Sequence, residues 1–277
     1  MVHKKGVPMD RGHEVEAALI VYADAPQAIE QRLADLQTLA EFSLLPRATE
    51  TIEDIYFDTA DRSLQARLIA LRVRRLDGTT LVTMKADSHR TVAGEDRLEI
   101  ESPWSSSGLH TVLSELRSRG VGMPGSPGKL GSADPAAVMA SLGLEQVQTR
   151  VTTRTPRDVI ARGAESEPVA ELAIDAVTYH FGDRRVRLLE VEVEAKGGGE
   201  ASTVEQITAR LRDEFPAQLR PWPYGKLPTG KAIHELLADG QLSGLTGQDG
   251  MLRPVAWERI AGLLDRAARS QPRQAPG

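Results

Sequence analysis

The sequence predicts an α+β fold: antiparallel strands closed into a barrel, with a charged inner face and an apolar outer face lying beneath helices. Three observations carry this reading. Segment after segment alternates ionic with aliphatic residues at period two, as strands with two unlike faces do. The pairs Asp77-Gly78 and Gly182-Asp183 separate such segments, so neighbouring strands run antiparallel through tight turns. Other stretches carry apolar residues at helical spacing and supply the cover for the aliphatic face.

Taken in order, residues 1–12 read as a loose arm and 13–22 as the first strand. Residues 26–42 have a helical apolar face in Ile29, Leu33, Leu36, Leu39 and Ala40. Residues 49–59 are extended and end in Tyr-Phe-Asp-Thr. Residues 68–76 and 79–86 form the first hairpin, and 95–102 is another strand. Helical spacing returns over 109–119. The Gly/Pro/Ser-rich stretch 120–135 predicts a mobile loop, followed by a short helix over 135–142. Residues 147–156 read as a strand, and 169–181 with 184–196 as the second hairpin. Helices are expected over 203–215 and 228–237, a linker over 240–250, and a last amphipathic helix over 253–269 that covers the barrel. The expected organisation is an arm (1–12), one domain (13–237), and a linker with a terminal helix (238–277).

The ionic faces are specific. Glu14 and Glu16 share one, as do Arg72 and Arg74, Thr83 and Lys85, and Arg97, Glu99 and Glu101. Thr152 and Arg154 share one, then Glu171 and Asp175, then Glu190, Glu192 and Glu194. Same-face neighbours on a strand lie about 7 Å apart. Two carboxylates at that spacing repel by about 0.6 kcal/mol in water and about 2.4 kcal/mol at an effective dielectric of 20. On a solvated sheet such a row is harmless, its charges paired weakly across strands. In an enclosed lumen it requires cations, either basic side chains or hard divalent metals. The repetition across many strands favours the enclosed lumen.

Composition narrows the function classes. The chain has 277 residues, 40% of them hydrophobic and 26% charged, with a net charge of -5. That balance suits a core-forming domain and gives no sign of a nucleic-acid surface. With no cysteine there is no disulfide framework and no thiolate chemistry, which fits a reducing cytoplasm. No secretory leader opens the sequence and no run of 18 apolar residues exists, so no membrane association is expected. The six histidines lack zinc-ligand spacing, and no P-loop motif occurs. Trp104 and Trp222 read as packing residues, with stacking on an organic group at a tunnel mouth as the alternative.

In order along the chain, Glu-Val-Glu at 14–16, Tyr-Phe-Asp-Thr at 56–59, Leu-Arg-Val-Arg-Arg at 71–75 and Thr-Met-Lys at 83–85 resemble the CYTH domain, or triphosphate tunnel metalloenzyme, family. The series continues with Arg-Leu-Glu-Ile-Glu at 97–101, Arg154, the stretch ending at Asp175, Glu-Val-Glu-Val-Glu at 190–194 and Lys226. Each motif is weak alone and the ordered set is strong. The resemblance covers about residues 13–237. One departure stands out: Ala18 occupies the place of the lysine that closes the family's first motif, and Lys226 or Lys231 are the available substitutes.

The resemblance implies an eight-stranded antiparallel tunnel that binds a small-molecule triphosphate with Mg²⁺ or Mn²⁺. It implies phosphate contacts from Arg72, Arg74, Lys85, Arg97, Arg154 and Lys226, and metal ligation by Glu14, Glu16, Asp175, Glu190 and Glu192. The implied catalytic set is Glu14, Glu16, Arg72, Arg74, Lys85, Arg97 and Lys226, with Glu99, Glu101, Glu171 and Glu194 balancing charge or orienting water. Hydrolysis by in-line attack of a metal-positioned water is the expected reaction. The alternatives are cyclisation of ATP to cyclic AMP and, because of Ala18, a binding module without catalysis.

Overall fold

The computed structural model describes residues 10–91, 94–125, 134–163, 167–197 and 200–270. Strand β1 (Asp10–Val21) is followed by helix α1 (Pro26–Asp35), two short strands, β2 (Thr38–Leu39) and β3 (Phe42–Pro46), and then β4 (Glu50–Thr59). One helical turn, α2 (Ser63–Ala66), leads to the hairpin β5 (Ala70–Leu76) and β6 (Thr79–Arg90), and on to β7 (Glu95–Pro103). Helices α3 (Ser106–Ser118) and α4 (Pro135–Ser141) precede the long strand β8 (Leu144–Ala161). The hairpin β9 (Ala170–Phe181) and β10 (Arg184–Ala195) follows, then α5 (Ala201–Glu214), β11 (Leu219–Pro221), α6 (Lys226–Ala238) and α7 (Pro254–Ser270).

Eight of the strands close on themselves. They pair antiparallel in the order β8-β4-β5-β6-β7-β1-β10-β9, and β9 returns to β8. Closure removes the free edges that an open sheet would present. The short strands extend two barrel edges: β3 pairs with β8 beyond the end of β4, and β11 pairs with β1 beyond the end of β7. Pro156 falls where β8 changes partner from β4 to β3. Its carbonyl, which accepts from Arg47 N–H, faces that gap, so its missing N–H breaks no ladder bond.

Aliphatic side chains of the outer face pack under helices in two cores. Leu19, Leu172, Ile174, Leu189, Val191 and Val193 meet Ile29 and Leu33 of α1 and Val204, Ile207 and Leu211 of α5. Leu71, Val73, Val82, Met84, Leu98 and Ile100 meet the buried faces of α3 and α4. A third core fills one end of the barrel. There the lumen-facing residues Ile20, Val177, Tyr179, Val186 and Leu188 are covered by Trp222, by Ile233 and Leu236 of α6, and by Trp257 and Ile260 of α7. The terminal helix thus caps the barrel, as its amphipathic spacing predicts. Trp222 is a packing residue: its Nε1 donates to Thr229 Oγ1 and its ring meets Tyr224 and Trp257 edge-on.

Several boundaries differ from expectation. β1 begins at Asp10, three residues inside the expected arm, because Asp10 to Gly12 pair with Glu101 to Glu99. The rest of the arm, 1–9, and 126–133 of the expected mobile loop lie outside the described residues. The helix expected over 26–42 stops at Asp35. Ala40 turns the chain at φ +51°, and Phe42 and Leu44 then alternate inward on β3. Arg157 fixes this detour by donating to the carbonyls of Ala34 and Leu44.

Helix α6 sits close against the barrel at Gly230. A Cβ there would lie 2.5 Å from Tyr179 Cε1 and 2.7 Å from Gln148 Cδ. Gly230→Ala is therefore expected to destabilise the fold by about 1–3 kcal/mol through overpacking, read as a lowered urea midpoint with an unchanged slope.

Candidate active site

Residues directly opposite on paired strands point to the same face. Around the barrel Glu14 faces Arg97, Lys85 faces Glu99, Arg72 faces Thr83 and Tyr56, and Asp54 faces both Arg74 and Arg150. Further on, Arg154 faces Asp175, Asp175 faces Glu190, Ala18 faces Glu192, and Glu194 faces Glu171 and Glu16. The opposite face is the aliphatic one under the helices, so the ionic residues line the lumen. The structure brings together every residue of the expected set: Glu14, Glu16, Arg72, Arg74, Lys85, Arg97, Arg154, Asp175, Glu190, Glu192 and Lys226. Of the three glutamates in a row on β10, Glu190 and Glu192 share the Lys226 ammonium, Glu192 also meets Arg154, and Glu194 pairs with Lys196.

The two signs of charge are unevenly spread. On the wall formed by β4, β5 and β8, Asp54 is held by three arginines. Arg74 grips it with both nitrogens at 2.8 and 3.1 Å, Arg150 reaches it at 2.6 Å, and Arg72 Nε lies 3.7 Å away. On the wall formed by β1, β9 and β10, Asp175, Glu190 and Glu192 converge on the Lys226 ammonium, which α6 delivers as its first residue. Lys226 Nζ lies 3.0 Å from Asp175 and 3.6 Å from Glu190, and it donates to Glu192. Arg154 bridges Asp175 at 2.7 Å and Glu192 at 2.6 Å. Between the walls, Lys85 binds Glu14 at 2.5 Å and Glu99 at 3.3 Å, and Arg97 holds Glu14 at 3.2 Å and Glu16 at 2.6 Å.

Burial and neighbours push these acids apart. Burial drives Glu190 up to about 8 and Glu16 up to about 7, against the cations beside them. Glu192 is buried as well, yet Lys226 and Arg154 hold it well below the usual carboxylate range. Lys226 sits nearer Glu192 than Glu190, so it favours the charged form of Glu192 more strongly than that of Glu190. Burial likewise opposes the ionisation of Asp54, but Arg74, Arg72 and Arg150 keep it ionised. Burial also raises Tyr56, and the guanidinium groups of Arg150 and Arg72 outweigh that and lower its phenol.

A stability profile follows. Glu16 and Glu190 bind protons more tightly in the folded state, so their contribution is complete below their unfolded value of 4.5 and is lost as pH rises through about 7 and 8. The depressed acids Asp54 and Glu192 act the other way, only at lower pH. Urea melts of the ligand-free protein are expected to show stability falling between about pH 5 and pH 8.

The CYTH domain family model matches residues 14–215. The chain belongs to the CYTH domain family. Over 210 residues it is 27% identical to human thiamine-triphosphatase, a match spanning 72% of this chain and 83% of that protein. Among solved structures it is similar to HpAC1 from Hippeastrum, whose dominant activity is a triphosphatase activity, at 18% identity and a TM-score of 0.47 over 83% of this chain and 97% of that one. It is more distantly similar to the S. pombe Pct1 RNA triphosphatase, at 11% identity and a TM-score of 0.33 over 74% of this chain and 84% of that one. The human relative of this CYTH chain is a triphosphatase by name. No helix among its described residues is long and apolar enough to cross a membrane.

The departure at Ala18 is visible in the lumen. Beside it a cavity of about 330 Å³ is lined by Glu16, Glu190, Glu192 and Trp222. Of the two substitutes, only Lys226 reaches this wall. Lys231 points elsewhere and donates to Gln65 at 2.9 Å. Sequence reading missed Asp54, Tyr56, Glu95 and Arg150. Asp54 and Tyr56 continue one face of the Tyr-Phe-Asp-Thr strand, and Arg150 continues the face of Thr152 and Arg154, so the same period-two rule reaches them.

Proposed function

We propose that the lumen hydrolyses the terminal phosphoanhydride of a small triphosphate, either inorganic tripolyphosphate or an organic one such as thiamine triphosphate, with a divalent cation. The single observation that carries this is the enclosed lumen with a guanidinium-rich wall facing a carboxylate-rich one. A triphosphate brings roughly four negative charges, which forked arginines and lysine point charges can bind. The match to human thiamine-triphosphatase supports hydrolysis.

The donor set fits a hard divalent ion. Among the described residues no three acidic or histidine side chains stand ready around one empty point. Asp175, Glu190 and Glu192 instead share an ammonium, and Glu190 Oε1 is buried without a hydrogen-bond partner. Carboxylate oxygens of this kind suit Mg²⁺ or Mn²⁺. Glu16, Glu190 and Glu192 are the residues to hold it, with Glu14 and Asp175 in support. When bound, it supplies positive charge against the phosphate oxygens.

The chain's own residues do the rest. Arg72, Arg74, Lys85 and Arg97 align the phosphate chain and stabilise charge on the equatorial and leaving oxygens. Glu14 and Glu16 are held in place by Lys85 and Arg97, which fixes their carboxylates on the wall beside the phosphate contacts. The barrel walls and the apolar plug limit competing water.

Phosphate release from tripolyphosphate, thiamine triphosphate and ATP, each with Mg²⁺ and Mn²⁺, tests the reading. Glu192→Gln is expected to lower kcat by about 100-fold or more, the scale of losing one pre-organised charge. Turnover of none of these substrates sinks the proposal, and cyclic AMP from ATP replaces it with a cyclase. Ala18 favours one second reading, a module that binds a triphosphate without cleaving it. Tight binding with no turnover, unchanged by Ala18→Lys, is its signature.

A further inference from the structure

The arginine wall holds more donors than its surroundings satisfy. Arg150 is 2% exposed. Its Nη2 donates to Asp54 at 2.6 Å and to Tyr56 Oη at 2.8 Å, and its guanidinium lies 5.1 Å from the centre of the Tyr56 ring. Its Nε and Nη1, and Arg72 Nε, are buried with no hydrogen-bond acceptor. Gln148, two residues along the same face of β8, is also buried with both amide atoms unpartnered. Among the described residues Arg150 has one acidic contact, Asp54, and shares it with Arg72 and Arg74. Glu99 reaches Arg72 at 3.3 Å but is divided with Lys85 at 3.3 Å.

Buried donors without acceptors are costly, and such a cluster calls for something that supplies them. Arg72 is also met by Glu99 at 3.3 Å and Glu101 at 4.0 Å, whereas Arg74 and Arg150 have Asp54 as their one acidic partner among the described residues, so two guanidinium charges share one carboxylate and positive charge is left over. Water answers the donors but not the charge. A tetrahedral oxyanion answers both, because its oxygens accept several forked N–H bonds at once.

We propose that Arg150, together with Arg72 and Arg74, forms the seat for one phosphoryl group of the bound polyanion, and that Arg150 sets the affinity of this seat. The inference rests on the triphosphate reading and assigns it a residue that the motif series does not contain. Tyr56 orients the Arg150 fork, and Asp54 keeps the three guanidiniums together while the seat is empty. Arg150 takes no part in proton transfer and acts by positioning.

Calorimetric titration of inorganic tripolyphosphate in metal-free buffer tests it, paired with the rise in Tm that the same ligand causes. Arg150→Gln is expected to bind about 10- to 100-fold more weakly, the range for losing charge-assisted hydrogen bonds, and to lose most of the ligand-induced rise in Tm. Arg150→Lys keeps the charge without the fork and is expected to fall between the two. A purely structural Arg150 would lower Tm without changing the ligand-induced rise. Should Arg150→Gln not fold, Arg150→Lys carries the test. Wild-type affinity in either folded variant overturns the proposal, and so does failure of the wild type to bind tripolyphosphate. Binding is read here without turnover. A protein that binds through Arg150 but cleaves no triphosphate sinks the hydrolase reading alone. Hydrolysis with an unchanged KM in Arg150→Gln sinks this inference alone.

Discussion

Asp54→Asn is expected to destabilise the fold by about 3–5 kcal/mol, the cost of leaving buried charges uncompensated. The substitution keeps the shape of the side chain and removes its charge. Asp54 is 1% exposed and is the common partner of Arg72 and Arg74 on β5 and of Arg150 on β8, the two strands that flank its own β4. Without it, three guanidinium groups share one wall of a lumen where water screens poorly. Urea denaturation measures the loss. A second readout identifies its origin: tripolyphosphate is expected to restore more stability to the variant than it adds to the wild type, because the anion takes over the missing charge. Equal urea midpoints for the two proteins would show that the wall does not depend on this carboxylate.

Lys226→Met has the second large effect, and it removes a charge of the opposite sign. The ammonium is nine-tenths buried among Asp175, Glu190 and Glu192, and Met fills similar volume without charge. Three carboxylates then remain close together with Arg154 as their main cation. A loss of about 3–5 kcal/mol is expected near pH 8. At lower pH the loss shrinks, because the acids relieve their repulsion by binding protons, and folded values raised above 4.5 stabilise the fold only where the proton is held. On the proposed triphosphatase reading, phosphate release is expected to fall by about 100-fold or more, the scale of losing one pre-organised charge. A loss of stability independent of pH would remove the electrostatic explanation.

Much of the barrel was legible because its chemistry has a period. Wherever charged and aliphatic residues alternate, as in Glu14 to Leu19, Arg97 to Ser102 or Glu190 to Ala195, the strand and its two faces follow from sequence alone. What stayed hidden has identifiable physical causes. Leu36 and Leu39 continue the helical spacing of α1, so the end at Asp35 is set by tertiary contacts of Phe42 and Leu44 and not by local pattern. β8 runs on through Pro156 because a change of partner strand removes the usual penalty there, which no single segment reveals. Asp54 follows the exposed Glu53, and two adjacent acids do not declare which one faces inward. Arg150 stands four residues from Arg154 on the same face of β8, but the segment alone does not reveal that Gln148 and Arg150 pair there with Tyr56 and Asp54. Lys231 shows the converse: a lysine close in sequence to the site is carried out of it by the turn of α6.

The most direct measurement is a diffraction map from crystals grown with a triphosphate analogue that resists cleavage. Phosphate density is expected inside the barrel, bridging Arg72, Arg74, Lys85 and Arg97, with one phosphoryl group against Arg150. Well-ordered analogue bound on an outer face, with the lumen arginines still paired to Asp54, Glu14 and Glu99 alone, would contradict it.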